Sequence, residues 1–320
     1  MKKFILTAFS FCFVYPAFCW GFYAHKLINR YAVYLLPPEM MVLYKPNLDF
    51  ITIHAVDPDK RRYTVKEEAP RHYIDLDHYH PWDSIPAVYQ KAIEKYTADS
   101  LQKHGIGPWW LQTMMSRLTQ AFSEKDKFRI IKLSAELGHY VADLHVPLHA
   151  SSNHNGQKTD QHGIHGFWES RIPELLAEKE FDFIIGKAGY ITSGSALIWK
   201  VAKQSASSAD TVLSLEKNLS NSFRPDHKYS FELRNGIVLR QYSEAYSRAY
   251  HDKLNGMVER RMRESIQTVA SLWYTAWVNA GQPSLADIAA IPFTEQELKE
   301  WNELNSSLPN DPDEERSGSN

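Results

Sequence analysis

Apolar residues return every three to four positions along most of this chain, the spacing of helices with one buried face. Between His25 and Leu36 they are Leu27, Ile28, Tyr31, Ala32, Tyr34 and Leu35, and Pro37-Pro38 stops the pattern. Pro86–His104 and Pro108–Phe122 read as two further helices joined by Gly105-Ile106-Gly107. Each opens on a proline, which a first helical turn tolerates. Lys125–Leu144 is a longer amphipathic stretch that ends before Pro147. Ala196–Leu219 is helical in period but polar, and Tyr242–Ala280 is the longest helical pattern, with a break expected near Gly256. Alternation of period two is nearly absent, and only Phe181–Ile185 reads as a short strand. The expected fold class is therefore all-α, a single multi-helix domain over residues 20–305 without internal repeats. Residues 151–164 form a polar loop, and residues 306–320 are polar and acidic enough to predict a disordered tail.

The first 19 residues follow a different pattern. Lys2 and Lys3 precede an apolar run from Phe4 to Val14, and Pro16, Ala17 and Cys19 then make a cleavage site before Trp20. This is the layout of a secretory signal peptide, and the run is short for a membrane span. Export to a periplasm or the cell exterior is expected. Cleavage would remove Cys12 and Cys19, the only cysteines, and leave 34 basic against 38 acidic residues, a formal charge of -4. No later segment is apolar and long enough to span a bilayer, and a monomer is expected.

Composition narrows the chemistry. Of 320 residues, 43% are hydrophobic and 13% aromatic, enough for a packed core. A near-neutral charge excludes a basic, nucleosome-style nucleic-acid binder, so no stable DNA-binding role is expected. Two cysteines exclude a disulfide framework and a Cys-rich zinc finger. Histidine stands out: ten of fourteen lie between His72 and His165. A chain poor in thiols and rich in clustered imidazoles points to nitrogen-and-oxygen metal sites.

The spacing of these histidines carries more than their number. His139 and Asp143 are four residues apart, as are His165 and Glu169, so each pair shares one helix face. His149 follows the first pair beyond Pro147, where a helix should break and re-aim the side chain. A lone His/Asp pair at this spacing is ordinarily a solvated surface pair. Two such pairs with a histidine between them supply ligands for at least two ions. His145 falls on another helix face, and His78, His80, His104, His227 and His251 have no spaced partner. Upstream, Asp57 or Asp59 could complete a site with His72, and periodicity cannot choose between them.

Together these residues resemble the superfamily of bacterial zinc-dependent phospholipase C and the single-strand-specific zinc nucleases. The resemblance is carried by Trp20-Gly21 at the expected mature end, His25, Asp57 with His72, His139-x3-Asp143-x5-His149, and His165-x3-Glu169. It implies an all-α fold with three zinc ions at the bottom of a cleft. In that scheme Asp57, His72, His139 and Asp143 hold one ion, and His149, His165 and Glu169 a second. Trp20, through its freed amine and carbonyl, holds the third with His25 and a bridging Asp143. The implied reaction is phosphodiester hydrolysis on a phospholipid head group or single-stranded nucleic acid, by water whose pKa zinc lowers to about 7. Asp57 and Asp143 would be the catalytic carboxylates. Lys60, at the spacing where the nucleases place a phosphate-binding arginine, and Asp75 would contact substrate. The competing reading is an extracellular helical metal-binding protein without catalysis.

Overall fold

The computed structural model describes residues 21–62, 64–234 and 236–306. The expected signal peptide, Trp20 and positions 307–320 of the expected tail lie outside the described residues. Four short helices open the described chain: α1 (Phe22–Val33), α2 (Pro38–Tyr44), α3 (Leu48–Ile53) and α4 (Asp57–Arg61). After irregular turns come α5 (Tyr89–Tyr96), α6 (Ala98–His104), α7 (Gly107–Glu124) and α8 (Lys127–His145). A single turn, α9 (Ile164–Gly166), continues through a wider π turn (Phe167–Arg171) into α10 (Ile172–Glu180). The long α11 (Gly194–Ser222) is followed by a hairpin of β1 (Tyr229–Arg234) and β2 (Ile237–Tyr242). The order ends with α12 (Glu244–Lys253), α13 (Met257–Asn279), α14 (Ala286–Ala289) and α15 (Glu295–Ser306).

The all-α expectation describes this architecture, and α8 is its axis. Asp126 caps α8 by accepting the Arg129 amide at 3.0 Å, and Val146, extended before Pro147, ends it. From Ser134 to His145 every α8 residue is buried, because α1, α7, α11 and α13 pack around it. The C-terminal half of α8 is buried by these neighbours on every side rather than by an apolar sequence of its own. The polar groups it carries there, His139, Asp143 and His145, are thus placed where water cannot reach them. One apolar core runs from Ala24 in α1 to Ile288 in α14. No helix among the described residues is long and apolar enough to cross a membrane.

Some boundaries differ from the sequence expectation for local reasons. The Pro86–His104 helix is two helices, parted at Thr97, whose φ of 69° no right-handed helix contains. The long C-terminal pattern breaks where expected, at Asn255 and Gly256, both with positive φ. Ser306, the first residue of the expected tail, belongs to α15.

Phe181–Ile185 forms no strand. Side chains of α13 occupy the backbone groups of this segment and the residues after it: Arg263 donates to Ile184 O at 3.2 Å, and Gln267 to Lys187 O at 2.8 Å. The Gly189 and Ile191 amides donate to Ser271 Oγ and Thr275 Oγ1. A strand ladder is unnecessary when a neighbouring helix supplies the partners.

The hairpin was not anticipated, although Tyr-Ser-Phe-Glu-Leu-Arg, Asn-Gly and Ile-Val-Leu-Arg-Gln-Tyr carry the alternation and turn dipeptide that specify one. Its Tyr242 ring stacks on Phe167 at 3.9 Å, and Arg171 pairs with Glu232, so it is rooted on the π turn.

Asn29 fixes α1 against α8. Its amide nitrogen donates to Ile51 O at 3.2 Å and Ala135 O at 3.0 Å. The approach requires glycine at 138, since an added Cβ would lie 1.9 Å from Asn29 Oδ1. Gly138→Ala is expected to cost about 1–3 kcal/mol through overpacking. Urea denaturation of the metal-free protein measures this, and unchanged stability would contradict so close a contact.

Candidate metal centre

His139 and Asp143 stand one turn apart on the buried face of α8, and six other side chains converge on them. His25 comes from α1, Asp59 from α4, and His72 from the last position of a short turn, Ala69–His72. His149 comes from the turn Pro147–Ala150 that re-aims the chain after α8. His165 and Glu169, one turn apart across α9 and the π turn, close the opposite side. All are buried.

Asp143 is at the centre. Its Oδ2 lies 2.8 Å from His72 Nδ1 and 3.2 Å from His139 Nε2. Its Oδ1 lies 3.4 Å from His25 Nε2 and 3.9 Å from His149 Nε2. Glu169 faces His165 Nε2 at 3.2 Å and His149 Nε2 at 3.5 Å. Three groups have donor atoms mutually within 4.8 Å: His25–Asp59–His139, His72–His139–Asp143, and His149–His165–Glu169.

Second contacts orient the rings. His139, His149 and His165 each hold Nδ1 against a backbone carbonyl, those of Ala55 (2.9 Å), His72 (2.7 Å) and His154 (2.9 Å). An Nδ1–H donated outward leaves the Nε2 lone pair for the centre. His72 is reversed: Nδ1 faces inward and Nε2 lies 3.6 Å from Glu68 Oε1. Glu68, with no exposed surface, is held by Arg61 Nε at 3.3 Å, Arg71 Nη1 at 2.6 Å and the Tyr140 hydroxyl. Burial opposes its charge, but His72, Arg61 and Tyr140 outweigh burial and hold its carboxyl at about 2.

The electrostatics describe a cavity built for cations. Burial pulls His25 and His165 down to about 4, so both rings are neutral at physiological pH. Burial pushes the Glu169 carboxyl up to about 8, and Asp143 and Asp59 add to that shift. At His139 burial acts downward, yet Asp143 and Asp59 outweigh it and raise the ring to about 8. Both Nε2 and Nδ1 of His25, Asp143 Oδ1, Asp59 Oδ2 and both Glu169 oxygens are buried without a hydrogen-bond partner. Buried polar atoms are ordinarily satisfied, and unpaired carboxylates are costly. Imidazole nitrogens and carboxylate oxygens in groups of three, without sulfur, fit zinc with coordination positions to spare.

The structure assembles most residues singled out from sequence, with two displacements. His25, His72, His139, Asp143, His149, His165 and Glu169 lie together, whereas Trp20 is outside the described residues. Asp59, not Asp57, faces His72 (3.6 Å) and His139 (3.7 Å). Residues two apart on a helix point about 200° apart, so α4 can offer only one of them. Asp57 turns to His54 Nδ1 at 2.7 Å and lies 3.8 Å from Lys60 Nζ. The same two-residue shift replaces Lys60 by Arg62, which lines the cleft over the cluster. That cleft, about 340 Å³, is also lined by Tyr73, Asp75, Lys103, His149, His154 and His165. Asp59-x2-Arg62 repeats the spacing of Asp57-x2-Lys60, the one sequence signal for the alternative. Glu68 stands four residues before His72, the same spacing as the two pairs singled out, and was passed over; Arg61 had no spaced partner.

The family described as zinc dependent phospholipase C matches residues 24–219. No curated protein matches the chain. Among solved structures, an alpha toxin from Clostridium absonum is similar at 13% identity and a TM-score of 0.46, over 82% of this chain and 65% of that one.

The Glu68 network predicts a structural cost. Glu68→Gln would leave Arg71 and Arg61 facing a neutral amide, with Glu136 (2.7 Å from Arg61) the remaining anion. A loss of about 3 kcal/mol is expected for breaking a buried pair. Chemical denaturation of the metal-free protein would measure it, and a change below about 0.5 kcal/mol would mean the network carries no such load.

Proposed function

Because this chain belongs to the zinc-dependent phospholipase C family, we propose that it hydrolyses phosphodiesters with zinc, and that a phospholipid head-group ester is its substrate. The observation that carries the reading is three adjacent groups of buried imidazoles and carboxylates, two sharing His139 and the third reaching Asp143 through His149 at 3.9 Å, under a cleft lined by His72, His149 and His165. A closed structural site needs four protein donors and no cleft. Adjacent groups that leave positions for water and substrate are what a hydrolytic centre requires.

His72, His139, Asp143 and Asp59 would hold one ion. His149, His165 and Glu169 would hold a second. His25 and Asp143 would hold a third, together with the amine and carbonyl that signal cleavage frees at Trp20. The Gly21 amide donates to Glu169 O at 3.4 Å, which brings the start of the described chain to this ligand group. Cleavage before Trp20 would then both export and mature the enzyme, since an amide nitrogen cannot donate a lone pair to zinc and a free amine can.

When bound, zinc supplies water of lowered pKa and neutralises charge developing on phosphate. The chain's own residues do the rest. Asp143 fixes the spacing between sites by offering one oxygen to each side. The outward Nδ1 bonds of His139, His149 and His165 keep their rings from turning. Arg62, at the cleft wall, is the group we assign to the phosphate oxygens, with Lys103 adding positive charge. Tyr73 offers a ring beside the phosphate position, suited to a quaternary ammonium head group.

Two measurements test this. Phosphatidylcholine micelles and single-stranded DNA, offered side by side, should give release of phosphocholine, abolished by chelator and restored by zinc. Cleavage of DNA alone would shift the assignment to a nuclease. Tight zinc without turnover of any phosphodiester would sink the enzyme reading in favour of a metal-binding protein. For the ligand set, Asp59→Asn should lower bound zinc per chain and activity at least tenfold, as Asp143→Asn should. Asp57→Asn should leave zinc content near wild type, and the opposite ranking would restore Asp57 as ligand.

A further inference from the structure

A second group of metal-type side chains stands beside the cleft, which it meets through Asp75, outside the buried cluster and sharing no residue with it. Asp75 follows His72 by three residues and lines the cleft. His78 ends the turn Leu76–His78, and His104 is the last residue of α6. The Asp75 amide donates to His104 O at 2.8 Å, which ties the two segments together. Asp75 Oδ2 lies 3.3 Å from His104 Nδ1. The His78 and His104 rings lie 3.8 Å apart at 30°. One donor atom from each of the three residues falls within 4.8 Å of the others.

Two imidazoles with one carboxylate make a donor set for zinc or another imidazole-preferring ion, and a poor one for magnesium or calcium, which take oxygen. Three protein ligands leave at least one position for water. The carboxylate lacks sufficient positive charge as it stands: burial and the Asp77 carboxylate both push the Asp75 carboxyl above its usual range, against the pull of His104. A cation here would offset that.

We propose that Asp75, His78 and His104 form a separate, exchangeable binding site for a zinc-type divalent ion at the mouth of the cleft. It binds more weakly than the buried cluster for two reasons. The rings, tilted by 30° one over the other, must open so that their in-plane lone pairs converge, a movement the exposed His78 can make. The site is also open to water, which competes for the ion. An ion held there places positive charge where an anionic phosphodiester enters, and reassigns Asp75 from a substrate contact to a ligand.

The test is stepwise zinc titration of the metal-free, full-length mature protein, with bound metal counted by elemental analysis and affinity read by calorimetry. Wild type should show one equivalent beyond those of the buried cluster, weaker and chelator-labile. His78→Ala should weaken that last step at least tenfold, and the pair His78→Ala with His104→Ala should remove it, with the tighter steps unchanged. Circular dichroism of each variant checks folding, and His78→Gln, which keeps the surface polar, is the control should the double variant unfold. Equal stoichiometry and affinity in wild type and folded variants would overturn the proposal. So would a last step with a dissociation constant above about a millimolar, an adventitious ion only. Loss of the tight steps in wild type would instead count against the buried cluster, and the two failures are separately readable.

Discussion

Asp143 is a carboxylate with no exposed surface, set one helical turn from His139 inside a helix that has protein on every side. Burial alone would protonate it, yet His139 and His149 with the neighbouring rings hold its carboxyl well below the ordinary range. That balance constrains everything nearby. The rings of His25, His72, His139 and His149 must stand within 3.9 Å of its oxygens, and they come from three helical or turn segments besides α8. The packing of α1 against α8 through Asn29 and Gly138 sets where His25 arrives. The proline break after α8 sets where His149 arrives.

Around this centre the protein spends polar groups in ordered shells. Backbone carbonyls of Ala55, His72 and His154 fix three rings, and a carboxylate faces the fourth. Glu68 must itself be buried to do so, and Arg61, Arg71 and Tyr140 compensate it. Each layer makes the next affordable in a low-dielectric interior, where an unpaired charge costs several kcal/mol. Glu169 lacks such compensation and its carboxyl rises to about 8. The residual imbalance sits beside the cleft floor, where an ion would meet it.

The His–carboxylate pairs were legible from sequence because four-residue spacing on a helix is a local geometric fact, independent of the rest of the chain. Helix ends at Pro37 and Pro147 were legible for the same reason, and so was the break at Gly256. Asp57 and Asp59 were not separable: both flank Pro58 in one short helix, and only the rotation of α4 against α8 and the Ala69–His72 turn selects one. Resemblance chose Asp57 and the packing presents Asp59. Phe181–Ile185 looked like a strand because its apolar alternation is real, but a partner for its backbone, Arg263, lies 79 residues from Ile184 on α13. His78 and His104 appeared isolated because the partner that joins them, Asp75, is brought to His104 only by folding.

By itself, then, the sequence determined the mainly helical character, the imidazole-and-carboxylate chemistry of the cluster and the pairs that a single helix aligns. These depend on residue type and on the fixed rise and rotation of a helix. Tertiary structure decided which acid of Asp-Pro-Asp turns inward, which cation overlooks the cleft, and that Glu68 stands behind His72. These depend on the relative rotation and distance of elements far apart in the chain, quantities that periodicity does not encode and only a packed core fixes.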